Sequence, residues 1–509
     1  MKSDRGNSFF ILFVAILILG ALSLLGWEDL TKGRFKSFDL WADVRPGGAR
    51  LPQETSATVY LDPDLALLDT RVDEVPVNDE KHEMNLSAEE DELKSQSDED
   101  NDEAEELEMS NENISHDVDL HKTEIENDAA LQQTSRIEEN ENAPVEYENR
   151  IEDYSRGNIN LRNLKRSFDE AGRRLVRMAV LGDSYIEGDI FTETLRSQLQ
   201  EKYGGNGVGY VSAHSDIPGF RRSVNQSCSG WENHDFRTKI GKKNAMLQGV
   251  ISVANEGAAT TFEGSKIANA GSWDRSRLFF KTPDGGSLRV RIGKGENISS
   301  SEYSYSPSDS IHVIDLEEPT SRIRIDRVTP GTIFLGCYLD GDNGVAVDNM
   351  SIRGYAGIRH DEISKTIIEE TSDELSYDLI ILEFGINALS SQQTNYTHYG
   401  NQMITVVNHI KELYPEAVIL IMGIGDRGEK RGSEIHSMST VPNMINEQRR
   451  VARETESLFW DTRAAMGGED AVVEWSKNKE INKDYIHLSF KGGNRLSKLF
   501  VEALEKSLK

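Results

Sequence analysis

The chain has 509 residues, enough for two or three domains, and carries 87 acidic against 57 basic residues for a net charge of −30. The charge is lopsided: residues 71–150 hold 28 acidic and 6 basic residues, a net of −22, which leaves −8 for everything else. No basic stripe stands out elsewhere, which argues against a nucleic-acid partner.

Residues 9–25, FFILFVAILILGALSLL, carry no charge, and with Gly26 and Trp27 the run reaches 19 residues, enough to cross a bilayer. Lys2 and Arg5 precede it, and no clear Ala-x-Ala cleavage site follows. The reading is a transmembrane signal-anchor over 1–27, single-pass in the inner membrane, with the rest of the chain outside the cytoplasm, in the periplasm. A cleaved signal peptide is the competing reading. Residues 28–70 form a mixed juxtamembrane segment. Residues 71–155 include EEDELKSQSDEDNDEAEELE, poor in apolar residues and self-repelling, and predict a disordered acidic linker. A charged chain of this length spans on the order of 50 Å or more. It reads either as a tether for a catalytic head or as a tolerated spacer.

Order is expected to resume near Ile159, with a helix over 161–175. LVRMAVL (175–181) then reads as a buried strand ending at Gly182, and 189–204 as an amphipathic helix closed by Gly204 and Gly205. From 215 to 347 short alternating runs appear, among them SLRVRIG, SIHVIDL, SRIRIDRV and TIFLGCYL, which predict an all-β module of sandwich type. Helix–strand alternation then returns. IRHDEISKTIIEET (358–371) and HYGNQMITVVNHIKELYP (398–415) read as helices. YDLIILEFG, AVILIMGIG and SLFWDTR read as strands, and 491–508 as a last helix. Strands alternating with helices imply a parallel sheet covered on both faces. The β module thus interrupts an α/β domain made of 156–214 and 348–509. The two cysteines, Cys228 and Cys337, read as separate small hydrophobes more readily than as a disulfide.

VLGDSYIEGD (180–189) places Ser184 just after the first strand, at the carboxyl end of the sheet, where open α/β folds put their sites. Ser184 either caps the following helix or is a nucleophile, and a nucleophilic hydroxyl needs a base. KDYIHLSFKGG (483–493) offers one: Asp484 stands three residues before His487, so the carboxylate can hold one imidazole nitrogen while the other faces Ser184.

Together these stretches resemble the SGNH, or GDSL-type, hydrolase family. GDSY (182–185) matches its first block, RGYAG (353–357) resembles its second, EFGINAL (383–389) its third, and DYIHLSFKGG its last. The resemblance covers roughly 160–215 and 348–509. It departs at Tyr185, which replaces the usual Leu or His, at Ala388, where many members have Asp, and in the missing Asn before the second-block glycine. It implies a three-layer α/β/α, flavodoxin-like domain with Ser184 as nucleophile, His487 as base and Asp484 as its orienter. The implied oxyanion donors are the backbone N–H groups of Ser184 and Gly357 and the side-chain amide of Asn387, with Gly354 the other second-block glycine. No metal or organic cofactor is implied.

FWDTRAAMGGEDAVVEW (459–475) before DYIHLSFKGG is similar to envelope members of the peptidoglycan O-acetylesterase type, which also carry a β-sandwich between the first and second blocks. That likeness implies a membrane-anchored esterase removing acyl groups from an acylated carbohydrate polymer. The same triad serves two further readings: an O-acyltransferase working with a membrane-bound acyl-export partner, and a glycan-binding protein with a vestigial triad. The inserted module resembles carbohydrate-binding sandwiches; Trp231, Trp273 and Tyr303–Tyr305 either stack on sugar rings or pack the module. Trp475 reads as a core aromatic.

Overall fold

A computed structural model describes residues 147–509, apart from Pro218 and Glu296. The predicted anchor, the juxtamembrane segment and most of the acidic linker lie outside the described residues. Among the described residues, no helix is long and apolar enough to cross a membrane.

A six-stranded sheet forms the centre. Across it run Glu152–Asp153, Leu458–Trp460, Val418–Met422, Leu379–Glu383, Leu175–Gly182 and Gly344–Ser351. The first pairs antiparallel; the other five are parallel. In chain order these five lie 5-4-3-1-2, the doubly wound arrangement whose order reverses between the first and third strands. Thr192–Tyr203 packs with Phe490–Ser507, and Thr397–Leu413 with Val441–Glu454, two helix pairs that cover the sheet as an α/β/α arrangement requires. The parallel strands read as nearly unbroken apolar runs because both faces are covered: all five residues of Leu379–Glu383 and of Val418–Met422 are buried.

Several boundaries differ from the sequence reading. Order begins before 156: Ile151 is buried, and Glu152 and Asp153 pair with Phe459 and Leu458. The first helix covers Ile159–Asp169, because the chain turns at 170–174 to enter the Leu175 strand. Residues 358–371 hold two short helical turns, His360–Glu362 and Lys365–Glu369, in place of one helix. The domain resumes at Gly344, earlier than 348. Gly344 has a φ of 86°, and a Cβ there would lie 2.1 Å from the Gly204 carbonyl carbon, so this strand enters the sheet only where two glycine backbones can touch.

The inserted module begins at Gly207–Val211, which pairs with Ile333–Asp340, rather than at 215. It is one continuous nine-stranded sheet rather than two separate ones. Val250–Gly264 pairs with Arg322–Asp326 through 260–263 and with Ile333–Asp340 through 252–253, so one long strand serves both leaves. A register shift at Gly230 (φ 69°), facing Gly257 (φ 74°), marks a bulge where the sheet bends.

The module does not hang free. Its strand Arg275–Thr282 sends Leu278 and Phe280 into its own core and Phe279 into the core of the α/β domain. Ile333–Asp340 does the same with Cys337 and Leu339 against Tyr338. The period of two thus serves two cores at once. Of the candidate sugar-stacking aromatics, the two tryptophans are taken up by this packing and the two tyrosines are half-buried against it. Trp231 and Trp273 are buried, with the Trp273 indole N–H on Ser276 Oγ at 2.7 Å. Tyr305 lies on the His312 ring at 4.2 Å, and Tyr303 packs against the same core. Trp475 is buried, donating to the Met466 carbonyl at 2.9 Å. Both cysteines are free: Cys337 is buried, and Cys228 is half-buried beside His214.

A buried ionic network fastens the two cores. Arg177 of the central sheet donates through Nη1 to both oxygens of Asp348, at 3.0 and 2.9 Å, and through Nη2 to Asp340 of the module. Arg277 joins Asp340 at 3.2 Å, and the Tyr210 N–H reaches Asp348 at 2.8 Å. Removing one partner of such a network strands its counter-charge, at a cost of about 3–5 kcal/mol. Arg177→Ala is therefore expected to destabilise the fold by about that amount, read as a lower midpoint of chemical denaturation.

Candidate active site

The strand Leu175–Gly182 delivers the turn that carries Ser184. Gly182 is required by close approach: a Cβ would stand 2.8 Å from the Glu383 carbonyl oxygen and from Ile186 Cδ1. The next helical turn, Glu187–Asp189, is capped at Ile186 and the helix Thr192–Tyr203 at Phe191, so Ser184 caps neither. Tyr185 is buried below the turn, its hydroxyl against Met466 Sδ at 3.7 Å.

The second arm comes from the C-terminal loop. Ser489 caps the helix Phe490–Ser507, accepting the Gly492 N–H at 3.2 Å. A Cβ on Gly492 would be 1.9 Å from the Glu480 carbonyl oxygen, and one on Gly493 1.9 Å from that of Ile190. The paired glycines let this helix start against the segment that follows Ser184 and carry the preceding loop with it. His487 Nε2 thereby meets Ser184 Oγ at 2.9 Å, and His487 Nδ1 meets Asp484 Oδ2 at 2.8 Å. A carboxylate only accepts, so Nδ1 carries the proton and Nε2 is left as the acceptor facing the serine. Asp484 also accepts the backbone N–H groups of Ile486 and His487, each at 3.0 Å. Its partial burial alone would raise its pKa, but these hydrogen bonds outweigh that and hold it below the usual value. The arrangement can take a proton from Ser184 and hold the resulting imidazolium against a carboxylate.

Asn387 lies on the short turn Ile386–Ala388 after the third parallel strand, so it and Ser184 flank the point where the strand order reverses. Its Nδ2 donates to Asp183 Oδ2 at 2.6 Å and to the Tyr355 carbonyl at 3.2 Å, linking three of the four predicted blocks. Gly357 has a φ of 88°, and a Cβ there would enter the Phe384 ring at 2.5 Å. Gly354 also has a positive φ, 72°. No hydrogen bond joins either glycine to Ser184, His487 or Asp484 among the described residues. Ser184, His487 and Asp484 are thus brought into contact, Asn387 is joined to them through Asp183, and Gly357 is placed by its packing.

Three features escaped the sequence reading. Asp183 and Glu383 are both fully buried behind the serine, and burial pushes Asp183 up to about 7 and Glu383 well above the carboxylate range. Asp189, also buried, accepts from Thr192, Arg196, Arg221 and Ser223, tying the turn after Ser184 to the inserted module. Arg427 donates to the carbonyls of Ile386 and Leu389, on either side of Asn387. Asp183 and Glu383 stood inside quoted motifs, but nothing in the sequence marked them as neighbours; Arg427 had no local signal.

The carboxyl pair gives a prediction with a defined sign. A carboxyl with a raised folded-state value holds its proton in the fold and releases it on unfolding, so its cost to stability grows as pH rises above the unfolded value. Glu383→Gln removes that cost. The variant is expected to match the parent near pH 5 and to gain on it toward pH 8, by up to about 1.4 kcal/mol per pH unit, measured by melting both proteins across that range.

No protein-family model and no curated protein matches the chain. Among solved structures, that of a peptidoglycan O-acetylesterase aligns with 70% of this chain and 99% of its own, at 23% identity and a TM-score of 0.58. A family two carbohydrate esterase from Cellvibrio japonicus (9% identity, 56% of this chain and 98% of its own, TM-score 0.25) and the acetylxylan esterase Axe2 from Geobacillus stearothermophilus (20%, 32% and 73%, TM-score 0.23) also match, at scores too low to carry an argument. What the first of these similarities establishes is architecture: the chain has the fold of an SGNH hydrolase, in the form taken by that O-acetylesterase.

Proposed function

We propose that this chain is a serine esterase that removes O-acetyl groups from an envelope carbohydrate such as peptidoglycan. In the same reading, residues 9–27 tether it to the membrane and the catalytic head works outside the cytoplasm. The observation that carries the enzymatic part is the contact of Ser184 with His487 and of His487 with Asp484, in one hydrogen-bonded line.

His487 Nε2 accepts the Ser184 proton as Oγ attacks the acetyl carbonyl. The sugar alcohol leaves with that proton, and an acetyl-serine remains. Water, deprotonated by the same imidazole, then releases acetate and restores the serine. The charge on the attacked oxygen is met by the N–H groups of Ser184 and Gly357 and by the Asn387 amide. Asn387 would exchange its longer bond, to the Tyr355 carbonyl, for the oxyanion.

Support for a polymeric sugar comes from the surroundings. A cleft of about 370 Å³ opens between the turn after Ser184 and the inserted module. Glu187 and Arg353 line it from one side, and His214, Asn233, Asp235 and Arg237 from the other. Two of these arginines are matched by acids, Arg353 by Glu187 and Arg237 by Asp235. Such a polar wall of balanced charge suits a hydroxyl-rich ligand better than an acyl chain.

The test is acetate release by the full chain from O-acetylated cell-wall glycan and from an aryl acetate. Ser184→Ala should lose roughly three orders of magnitude or more in kcat on both, and Asp484→Asn about two to four. A parent protein that releases acetate from neither substrate would remove the esterase reading.

A further inference from the structure

Arg427 stands on the loop after the strand Val418–Met422, beyond the carboxyl end of the central sheet. It is 8% exposed. Its Nη1 donates to the carbonyls of Ile386 at 3.0 Å and Leu389 at 3.3 Å, and its buried Nε has no partner. The other buried arginines, Arg177, Arg196 and Arg277, each face an aspartate. Arg427 pairs with no carboxylate among the described residues. The adjacent Asp426 is committed elsewhere, accepting from Ser437, Arg463 and the Val472 N–H. Asp484 acts on Arg427 from beyond ion-pair distance.

Burying a guanidinium for the sake of two neutral carbonyls is unfavourable, and an uncharged amide could donate to them with less desolvation. The two carbonyls, however, are those on either side of Asn387. The anion that acyl transfer itself would form beside Asn387 is the tetrahedral oxyanion, and a cation fixed in a low-dielectric wall acts strongly on such a charge.

We propose that Arg427 is a positioning residue for the ester chemistry: it clamps the turn that carries Asn387 and sets behind that turn a positive charge that has no ion-pair partner among the described residues and that favours the oxyanion as it forms. This rests on the esterase reading above. It predicts an effect on the transition state rather than on substrate binding, and it predicts that the effect passes through Asn387.

The experiment uses the full chain and an aryl acetate, with Arg427→Met, Arg427→Lys, Asn387→Ala and the Arg427→Met/Asn387→Ala pair, each checked by its melting temperature. Arg427→Met is expected to lower kcat by about 100-fold with KM changed less than about threefold, and Arg427→Lys to recover kcat to within about tenfold of the parent. Adding Arg427→Met to Asn387→Ala should cost no more than about threefold further. A parent-like kcat in Arg427→Met, or losses that multiply in the double variant, would overturn the inference. If Arg427→Met does not fold, Arg427→Gln decides. It keeps an N–H donor without the charge, so a fall in kcat at an unchanged melting temperature supports the inference and a parent-like kcat overturns it. A parent that hydrolyses no ester overturns the esterase reading and this inference with it; a parent that does so while Arg427→Met is unaffected overturns this inference alone.

Discussion

Four residues converge on the buried carboxylate of Asp189, and the geometry of the turn that carries Ser184 depends on them. Thr192 Oγ1 donates at 2.7 Å, Arg196 donates through both terminal nitrogens at 3.0 and 3.2 Å, Arg221 Nε donates at 2.9 Å, and Ser223 Oγ completes the set. Desolvation works against a charge in that position, but the two guanidinium groups outweigh it and hold the carboxyl well below the usual range. Asp189 has a φ of 67°, a left-handed conformation that a non-glycine residue keeps only when its surroundings enforce it. Arg221 carries the constraint onward, donating to the carbonyls of Val208 and Tyr210 in the first strand of the inserted module. The turn that presents Ser184 is thereby braced against the insertion as well as against its own sheet.

The same economy governs the approach of the three chemical arms. Each arrives where a side chain would obstruct it: Gly182 beside the Glu383 carbonyl, Gly492 and Gly493 against the carbonyls of Glu480 and Ile190, and Gly357 against Phe384. The arms belong to different strands and loops, so backbone proximity, more than any single side-chain contact, brings Ser184 and His487 within 2.9 Å. The reversal of strand order opens the crevice that Ser184 and Asn387 flank.

Behind the hydrogen-bonded line of serine, histidine and aspartate, the site is electrically unusual. Two carboxyls, Asp183 and Glu383, are buried together with their proton affinities raised by desolvation, while the buried Arg427, which pairs with no carboxylate among the described residues, donates to carbonyls of the Asn387 turn. Asn387 is the neutral element between them, donating to Asp183 while the carbonyls around it accept from Arg427.

Much of this was legible in the amino-acid order. The parallel strands announced themselves as unbroken apolar runs, and Asp484 and His487 were readable because a three-residue spacing on one loop is a local fact. Ser184 was readable from its place after a buried strand, and its pairing with His487 followed from the order of the blocks. The module's strands were visible in their alternation. What alternation could not say was that each face of Arg275–Thr282 and Ile333–Asp340 belongs to a different core, because a sequence shows which residues are apolar and not what they are apolar against. That is why Trp231 and Trp273 could be taken for sugar platforms and are buried. The pairing of Asp183 with Asn387 across 204 positions, the convergence on Asp189 and the isolation of Arg427 were decided by tertiary structure alone. Their energies depend on burial and on distances between segments that have no fixed relation along the chain.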